Sequence, residues 1–250
     1  MKQLLSKIVP SSLLRFLAKQ KYRKQNFSTH KENIALGHIA RIVFKNRARY
    51  GILKELLLKA FGGVMQVDGY RFYYYPVAII KTPREIEEYL KLIGAKSRNM
   101  NKKAQKSGIE CREFEWNSKL DDIYEINTSS LVRQGRQMDQ AYLEYPKRVE
   151  LLAEGDFRIK HIGAFKEERL IGYIELFIYG NFAMTNRILG HKEYLKFGVM
   201  NLLFKEVVSF AIEDGIEYIN YLTMENRENN SLSAFKYRVG FRDYSLLEME

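Results

Sequence analysis

The last hundred residues alternate between strand-like and helix-like patterns, in an order that restricts the fold to a few architectures. Three apolar strands are predicted in succession, at 157–165, 170–179 and 182–189. The pair Gly180-Asn181 predicts a hairpin between the second and the third. A long helix at 198–214, a strand at 216–222, a short helix ending at 238 and a final strand at 241–247 follow. This order predicts an α/β chain in which helices flank a central sheet.

Composition excludes several classes of protein. Hydrophobic residues make up 46% of the chain and aromatic residues 13%, which excludes a disordered protein. Cys111 is the single cysteine, which excludes an internal disulfide and a multi-cysteine zinc site. The four histidines lack metal-ligand spacing, so we expect no metal cofactor. No apolar run reaches the roughly 18–20 residues that cross a bilayer, and we expect a cytoplasmic protein.

The positive charge of the chain is concentrated at its N-terminus. The first 50 residues hold twelve lysines and arginines and one acid, Glu32, whereas basic and acidic residues balance in the remaining 200. Apolar residues recur at helical spacing up to Leu17, and a basic run follows at 19–24. This pattern is typical of a cationic amphipathic helix on an anionic membrane surface, such as the inner face of a cell membrane. The alternative is a helix packed on its own domain with solvated lysines.

Changes in pattern divide the chain into three parts. We expect a basic amphipathic helical region at 1–62, a small α/β lead-in at 63–108 and the main α/β domain at 109–250. Thr82-Pro83 predicts a helix start in the lead-in, a second short helix is predicted at 98–106, and another at 120–132. Because the excess charge lies outside the main domain, removal of residues 1–30 is expected to leave a folded body.

Common catalytic motifs are missing. The chain has no G-x-G-x-x-G, no phosphate loop that ends in Gly-Lys-Ser/Thr and no G-x-S-x-G elbow. These absences weigh against dinucleotide-dependent hydride transfer, ATP hydrolysis and serine hydrolysis.

Three stretches resemble the GNAT (Gcn5-related N-acyltransferase) superfamily, and more narrowly its Fem-type branch, which includes acetyltransferases of bacterial polysaccharide synthesis. Residues 98–104, with Gly108, are similar to the basic helix before the first strand in that branch. Residues 197–203 open the long helix, and residues 233–241 are similar to the family's "FK…GF" ending. The resemblance covers about residues 95–245. It implies a GNAT-like mixed central sheet with flanking helices, preceded by the N-terminal helical region.

The resemblance implies acetyl-CoA, or another acyl-CoA, as co-substrate at the start of the long helix. A helix N-terminus offers free backbone amides to a pyrophosphate, and a glycine there leaves room for close approach. We therefore expect cofactor-binding residues at Lys192, Lys196, Phe197, Gly198 and Val199. Only the last glycine of the family's usual Gln/Arg-x-x-Gly-x-Gly/Ala motif is present. That departure keeps aminoacyl-tRNA, the donor of true Fem transferases, as an alternative.

Four polar residues are candidates for chemistry or substrate binding. Glu175 alternates with aromatic residues in its strand, so it is either a general base with a raised pKa or a solvent-facing residue. His191, just past the third strand, is a second candidate base, or an exposed loop histidine. Asn220 is a candidate for an acceptor hydroxyl, or pairs with backbone. Lys236 stands where GNAT proteins often have a catalytic tyrosine, which implies substrate binding.

The sequence thus predicts transfer of an acyl group, acetyl in the first instance, from a CoA thioester to an amine or hydroxyl. We expect a small-molecule or lipid-linked sugar as acceptor, such as an amino sugar in envelope polysaccharide synthesis. A lipid-linked acceptor would explain the cationic segment at 1–30. Two alternatives remain: an aminoacyl-tRNA-dependent transferase, and a non-catalytic GNAT-like module that tethers a complex at the membrane.

Overall fold

The computed structural model describes residues 11–43, 50–133, 135–149, 156–224 and 231–249. Its helices are α1 Ser11–Ala35, α2 Tyr50–Phe61, α3 Ile86–Leu92, α4 Ala95–Lys106, α5 Leu120–Thr128, α6 Gln140–Leu143, α7 Val199–Glu213 and α8 Ser231–Arg238. Its strands are β1 Ile39–Ala40, β2 Val64–Val67, β3 Tyr70–Tyr73, β4 Val77–Lys81, β5 Glu110–Glu113, β6 Val132–Arg133, β7 Arg136–Gln137, β8 Phe157–Lys166, β9 Arg169–Tyr179, β10 Phe182–Gly190, β11 Tyr218–Thr223 and β12 Arg242–Leu246. Short 3₁₀ turns lie at Trp116–Ser118 and Leu195–Phe197.

Eight strands form one mixed sheet in the order β1-β12-β4-β11-β10-β9-β8-β5. Neighbours from β5 to β10 are antiparallel, whereas β10 and β11 are parallel. The predicted α/β class with a mixed central sheet and flanking helices is confirmed. Strand β4 comes from the predicted lead-in, yet it lies between β11 and β12 and is antiparallel to both. The three-part division of the chain stays a prediction, but its second part supplies a central strand of the main sheet.

The two faces of the sheet are covered by different helices. Helices α4 and α7 cover one face, where the alternate β9 residues Ile174, Leu176 and Ile178 are fully buried. Tyr173 and Glu175 point to the other face, which α5 covers at one end and α2 at the other. This separation follows from the two-residue period of a strand, which sends successive side chains to opposite faces.

Helix α1 packs against the sheet through its last turns. The ring of His30 is fully buried; it is hydrogen-bonded through Nδ1 to Ser245 Oγ at 2.7 Å and stacks on Phe72. The expectation that residues 1–30 are dispensable for folding therefore overlooks His30. Residues 1–10 of the predicted cationic arm lie outside the described residues. No described helix is long and apolar enough to span a bilayer.

Two predicted helix boundaries are wrong. The helix predicted to begin at Thr82-Pro83 begins at Ile86, where Glu85 is the N-cap residue and makes no side-chain cap hydrogen bond. The helix predicted to reach residue 132 ends at Thr128, and Val132 lies in β6. The long helix predicted at 198–214 is confirmed as α7, and the hairpin at Gly180-Asn181 is confirmed between β9 and β10.

Candidate functional site

The sheet opens between its two central parallel strands. Strand β10 pairs with β9 from Phe182 to Gly190. Its pairing with β11 is shorter and ends where Met184 of β10 lies beside Asn220 of β11. Both strands continue beyond that point, so the edge of β10 that faces β11 loses its strand partner. Openings at the carboxyl ends of parallel strands are common ligand sites in α/β proteins. We therefore place the candidate site at this opening and on the adjoining face of β9.

A buried polar cluster lies on that face. Glu175 of β9 is 4% exposed, which excludes the solvent-facing alternative. Its Oε1 lies 3.3 Å from His161 Nε2 of β8, and its Oε2 accepts a hydrogen bond from Asn186 Nδ2. Arg187 Nε is 3.7 Å from the same Oε2, and 42% of the Arg187 side chain is exposed. Arg187 thus extends from the buried carboxylate to the surface.

Glu175 is an anion rather than a neutral acid at neutral pH. Burial raises its pKa, but hydrogen bonds from His161 and Asn186 and the charge of Arg187 outweigh burial and bring the pKa below the ordinary value. The expected raised pKa is therefore wrong, because partners from two neighbouring strands stabilise the carboxylate. A carboxylate fixed in this way can orient the ring of the histidine.

Aromatic residues surround the cluster. The ring of Trp116 lies 4.9 Å from that of His161 and 5.6 Å from that of Tyr173, and the Arg187 guanidinium is 5.2 Å from the Trp116 ring. The Tyr173 hydroxyl donates to Asn127 Oδ1 of α5 at 2.7 Å. Burial raises the pKa of Tyr142, which lies close enough to Arg187 and Glu175 to be affected by their charges. The cluster combines one anion, one cation and apolar walls, which suits an acceptor with a polar reactive group.

His191 lies apart from this cluster. His191 directly follows β10 and is four residues after Arg187. Arg187 lies opposite Glu175 in the pairing of β10 with β9. At ~3.3 Å per residue this separates His191 from Glu175 by ~13 Å. His191 Nε2 instead lies 3.8 Å from Glu125 Oε1 of α5. The structure therefore does not bring the two predicted catalytic residues together.

The space predicted at Gly198 for a pyrophosphate is filled by α4. Gly198 and Val199 are buried, and the Gly198 amide donates to Leu195 O at 3.1 Å. A Cβ on Gly198 would lie 2.5 Å from Met100 O, so α4 packs directly against this glycine. The glycine also has φ +92°, a backbone conformation that other residues rarely adopt. The space expected for close approach of acyl-CoA at Gly198 is therefore occupied by α4, and Gly198 serves the packing of α4 on α7.

The surface beside this helix start is cationic and aromatic. Lys192 and Lys196 are exposed. Lys103 of α4 donates from Nζ to Lys196 O at 2.9 Å. The ammonium groups of Lys103 and Lys196 lie 5.7 and 5.2 Å from the centre of the Phe197 ring. We call Lys103, Lys192, Lys196 and Phe197 the lysine surface; such a surface attracts phosphate groups by charge.

Asn220 and Lys236 are bound to backbone. Asn220 is fully buried; its Nδ2 donates to Ala78 O and Leu222 O, and its Oδ1 accepts from Leu222 N at 3.0 Å. Leu222 has φ +51°, so Asn220 supports an irregular turn of β11. Lys236 is buried and donates from Nζ to Tyr221 O at 2.9 Å and Thr223 O at 2.8 Å. The predicted substrate-binding roles are therefore replaced by structural ones.

Most partners of Glu175 are not evident from the sequence. His161 is not among the site candidates of the sequence, and no motif marks Asn186, Arg187 or Tyr142. The sequence signal for this pair is the predicted hairpin between β8 and β9, because it brings His161 of one apolar strand near Glu175 of the next.

Comparisons with known proteins agree with this architecture. The model of the acetyltransferase (GNAT) family matches residues 120–241. The crystal structure of FemX aligns with a TM-score of 0.56 at 13% identity, over 81% of this chain and 68% of that one. L-PGS from Bacillus licheniformis aligns with a TM-score of 0.43 at 14% identity, over 68% of this chain and 58% of that one. A search of curated proteins finds no match.

Proposed function

We propose that this chain, whose residues 120–241 match the model of the acetyltransferase (GNAT) family, is a GNAT-type acyltransferase that transfers an acyl group from a thioester donor to an amine or hydroxyl acceptor. The observation that carries this proposal is the opening of β10 from β11 immediately beside the ionised Glu175 cluster. The proposed acceptor is an amino sugar or sugar hydroxyl used in envelope polysaccharide synthesis.

The opening suits an extended donor. Beyond Met184, the backbone of β10 has no strand partner on the side of β11. Backbone amides and carbonyls on an open strand edge pair with amide groups of an extended ligand, as in strand addition. The amide-containing arm of an acyl-CoA would bind along this edge, with its thioester at the level of Asn186 and Arg187. The enzyme would then work mainly by positioning the two reactants.

The His161–Glu175 pair is the proposed acceptor of the proton. The nitrogen or oxygen of the acceptor attacks the thioester carbonyl carbon, the C–S bond breaks, and the thiolate leaves. The proton lost by the acceptor moves to the His161–Glu175 pair, from which it returns to the thiolate. Glu175 stabilises the protonated His161, as a carboxylate does beside a catalytic imidazole.

Substitution of Glu175 tests this role. Glu175→Gln should lower turnover by about 10²–10⁴-fold with little change in donor affinity, because only proton transfer is impaired. The assay follows thiol release from acetyl-CoA in the presence of a panel of amino sugars. Glu193→Gln, an exposed change on the neighbouring loop, is the matched control and should leave turnover unchanged. Equal turnover in Glu175→Gln and the unmodified protein would remove the pair from the mechanism.

Aminoacyl-tRNA is a second candidate donor, and one observation favours it. Helix α4 packs against the start of α7 at Gly198, whereas the lysine surface beside it is exposed and suits the sugar–phosphate backbone of a tRNA. A thermal-shift comparison of acetyl-CoA, CoA and tRNA separates the donors, because a ligand that binds only the folded state raises the melting temperature. A shift with tRNA that falls steeply with salt would favour tRNA. A shift with CoA that is lost in Lys196→Glu would favour the thioester.

A further inference from the structure

A groove separates helix α1 from the β2–β3 hairpin, on the opposite edge of the sheet from β5. It has a volume of about 580 Å³, within the range of roughly 300–1,000 Å³ that is usual for small-molecule sites. Its apolar lining consists of Phe27, Val64, Met65 and Tyr74, and its cation is Arg23. Two glutamines complete the lining. The groove therefore combines four apolar or aromatic side chains with one guanidinium and two amides.

The helix wall of this groove has charge of a single sign. Residues 20–31 contain Lys21, Arg23, Lys24 and Lys31 and no acid. Lys31 is paired with Asp68 at 3.4 Å, whereas Lys21 and Lys24 are exposed. The complementary ligand is thus an anion, and the apolar lining requires that this anion carry a hydrocarbon part.

Helix α1 carries two exposed aromatic residues, of which Phe27 lines the groove. Tyr22 is 51% exposed and Phe27 39% exposed on the same helix. Aromatic and basic residues together on one helix are characteristic of segments that lie at a lipid–water interface.

The groove also lies close to the opening in the sheet. Tyr74 lines the groove and is two residues before Pro76, whose carbonyl accepts a hydrogen bond from Met224 N at 3.2 Å. Met224 directly follows β11. Two residues span at most ~7 Å of chain, so the Tyr74 end of the groove lies near the carboxyl end of β11. A ligand chain held in the groove would keep its headgroup close to the candidate site.

We propose that this groove binds the hydrocarbon chain of an anionic membrane lipid, with the lipid phosphate at Arg23. The binding stands on the groove itself. The further step, that the acceptor of acyl transfer is lipid-linked, rests on the proposed function. Because the binding test contains no acyl donor, its result is independent of whether the chain catalyses transfer.

The test measures binding of monomeric oleoyl lysophosphatidic acid to the full chain by calorimetry. Glycerol 3-phosphate, which lacks the chain, and oleoyl lysophosphatidylcholine, which lacks net charge, are compared under the same conditions. We expect saturable binding of lysophosphatidic acid, at least about tenfold weaker binding of the zwitterionic lipid and no binding of glycerol phosphate.

Three variants locate the site. Met65→Trp fills the groove and Arg23→Gln removes its cation; each should weaken binding by about tenfold or more. Lys24→Gln removes an exposed cation of the same helix outside the groove and is the matched control. Equal loss in Lys24→Gln and Arg23→Gln would indicate diffuse attraction and overturn the proposal. Unchanged binding in Met65→Trp, or equal binding of glycerol phosphate, would also overturn it. Arg23→Gln is a surface exchange, so the test holds even where Met65→Trp impairs folding.

Discussion

Gly198→Ala should destabilise the fold more than the same replacement at Gly215 or Gly94. Two separate effects act at this residue. Its φ of +92° disfavours any side chain, and the new Cβ would lie 2.5 Å from the backbone oxygen of Met100. A backbone atom in the middle of α4 cannot move without displacing the helix.

The magnitude follows from these two effects. A non-glycine residue in the left-handed region costs about 1–2 kcal/mol. Forcing extra volume into a packed contact costs about 1–3 kcal/mol more. The sum is about 2–5 kcal/mol, which in a chain of this size lowers the melting temperature by about 2–4 °C for each kcal/mol.

Two other glycines separate the effects. Gly215 has φ +69°, and a Cβ added there would meet nothing within 4 Å, so Gly215→Ala carries the backbone cost alone. Gly94 has a negative φ of −66° and equally open space, so Gly94→Ala should be close to neutral. Urea unfolding of the three variants gives the differences in free energy of unfolding. If Gly198→Ala is no less stable than Gly215→Ala, then α4 does not fill the space beside Gly198 at the start of α7.

Three further predictions concern stability. Because the pKa of Glu175 is lowered from 4.5 in the folded state, its ionised form stabilises the fold above pH 4.5, and this stability is lost as pH falls through the lower folded pKa. Below pH 4.5 the free energy of unfolding should therefore fall more steeply with pH in the unmodified protein than in Glu175→Gln. Urea unfolding at several pH values measures this difference. Lys236→Ala should cost about 2–4 kcal/mol in thermal unfolding, because the carbonyls of Tyr221 and Thr223 lose their donor. Deletion of residues 1–30 should cost about 2–4 kcal/mol in thermal unfolding, because it removes the buried His30 and its hydrogen bond to Ser245.

The order of strands and helices from residue 157 onward could be predicted because the signal is local. Alternation of apolar residues and turn residues such as Gly180-Asn181 are visible in short windows of sequence. The position of β4 could not be predicted in this way. Nothing local in residues 77–81 indicates that they pair with β11 and β12, which follow more than 130 residues later.

The site depends on strand irregularities that no local sequence pattern indicates. The β8–β9 register shifts by one residue between Ala164 and Phe165. If the register of the Lys166–Arg169 pair continued without that bulge, His161 would lie opposite Ile174, whose side chain is on the other face of the sheet from Glu175. With it, His161 lies opposite Glu175. A second bulge, between Thr185 and Arg187, brings Asn186 to the same carboxylate. The alternation pattern identifies Glu175, but these two shifts determine its partners and hence its pKa.

Strand β4 connects the two sites of this molecule. Its first residue, Val77, pairs with Thr223 at the end of β11, so it lies at the border of the opening in the sheet. The chain that leads into it passes through Tyr74 in the groove beside α1. The proposed lipid binding at one edge of the sheet and the proposed acyl transfer at its centre would therefore both involve residues next to the same strand.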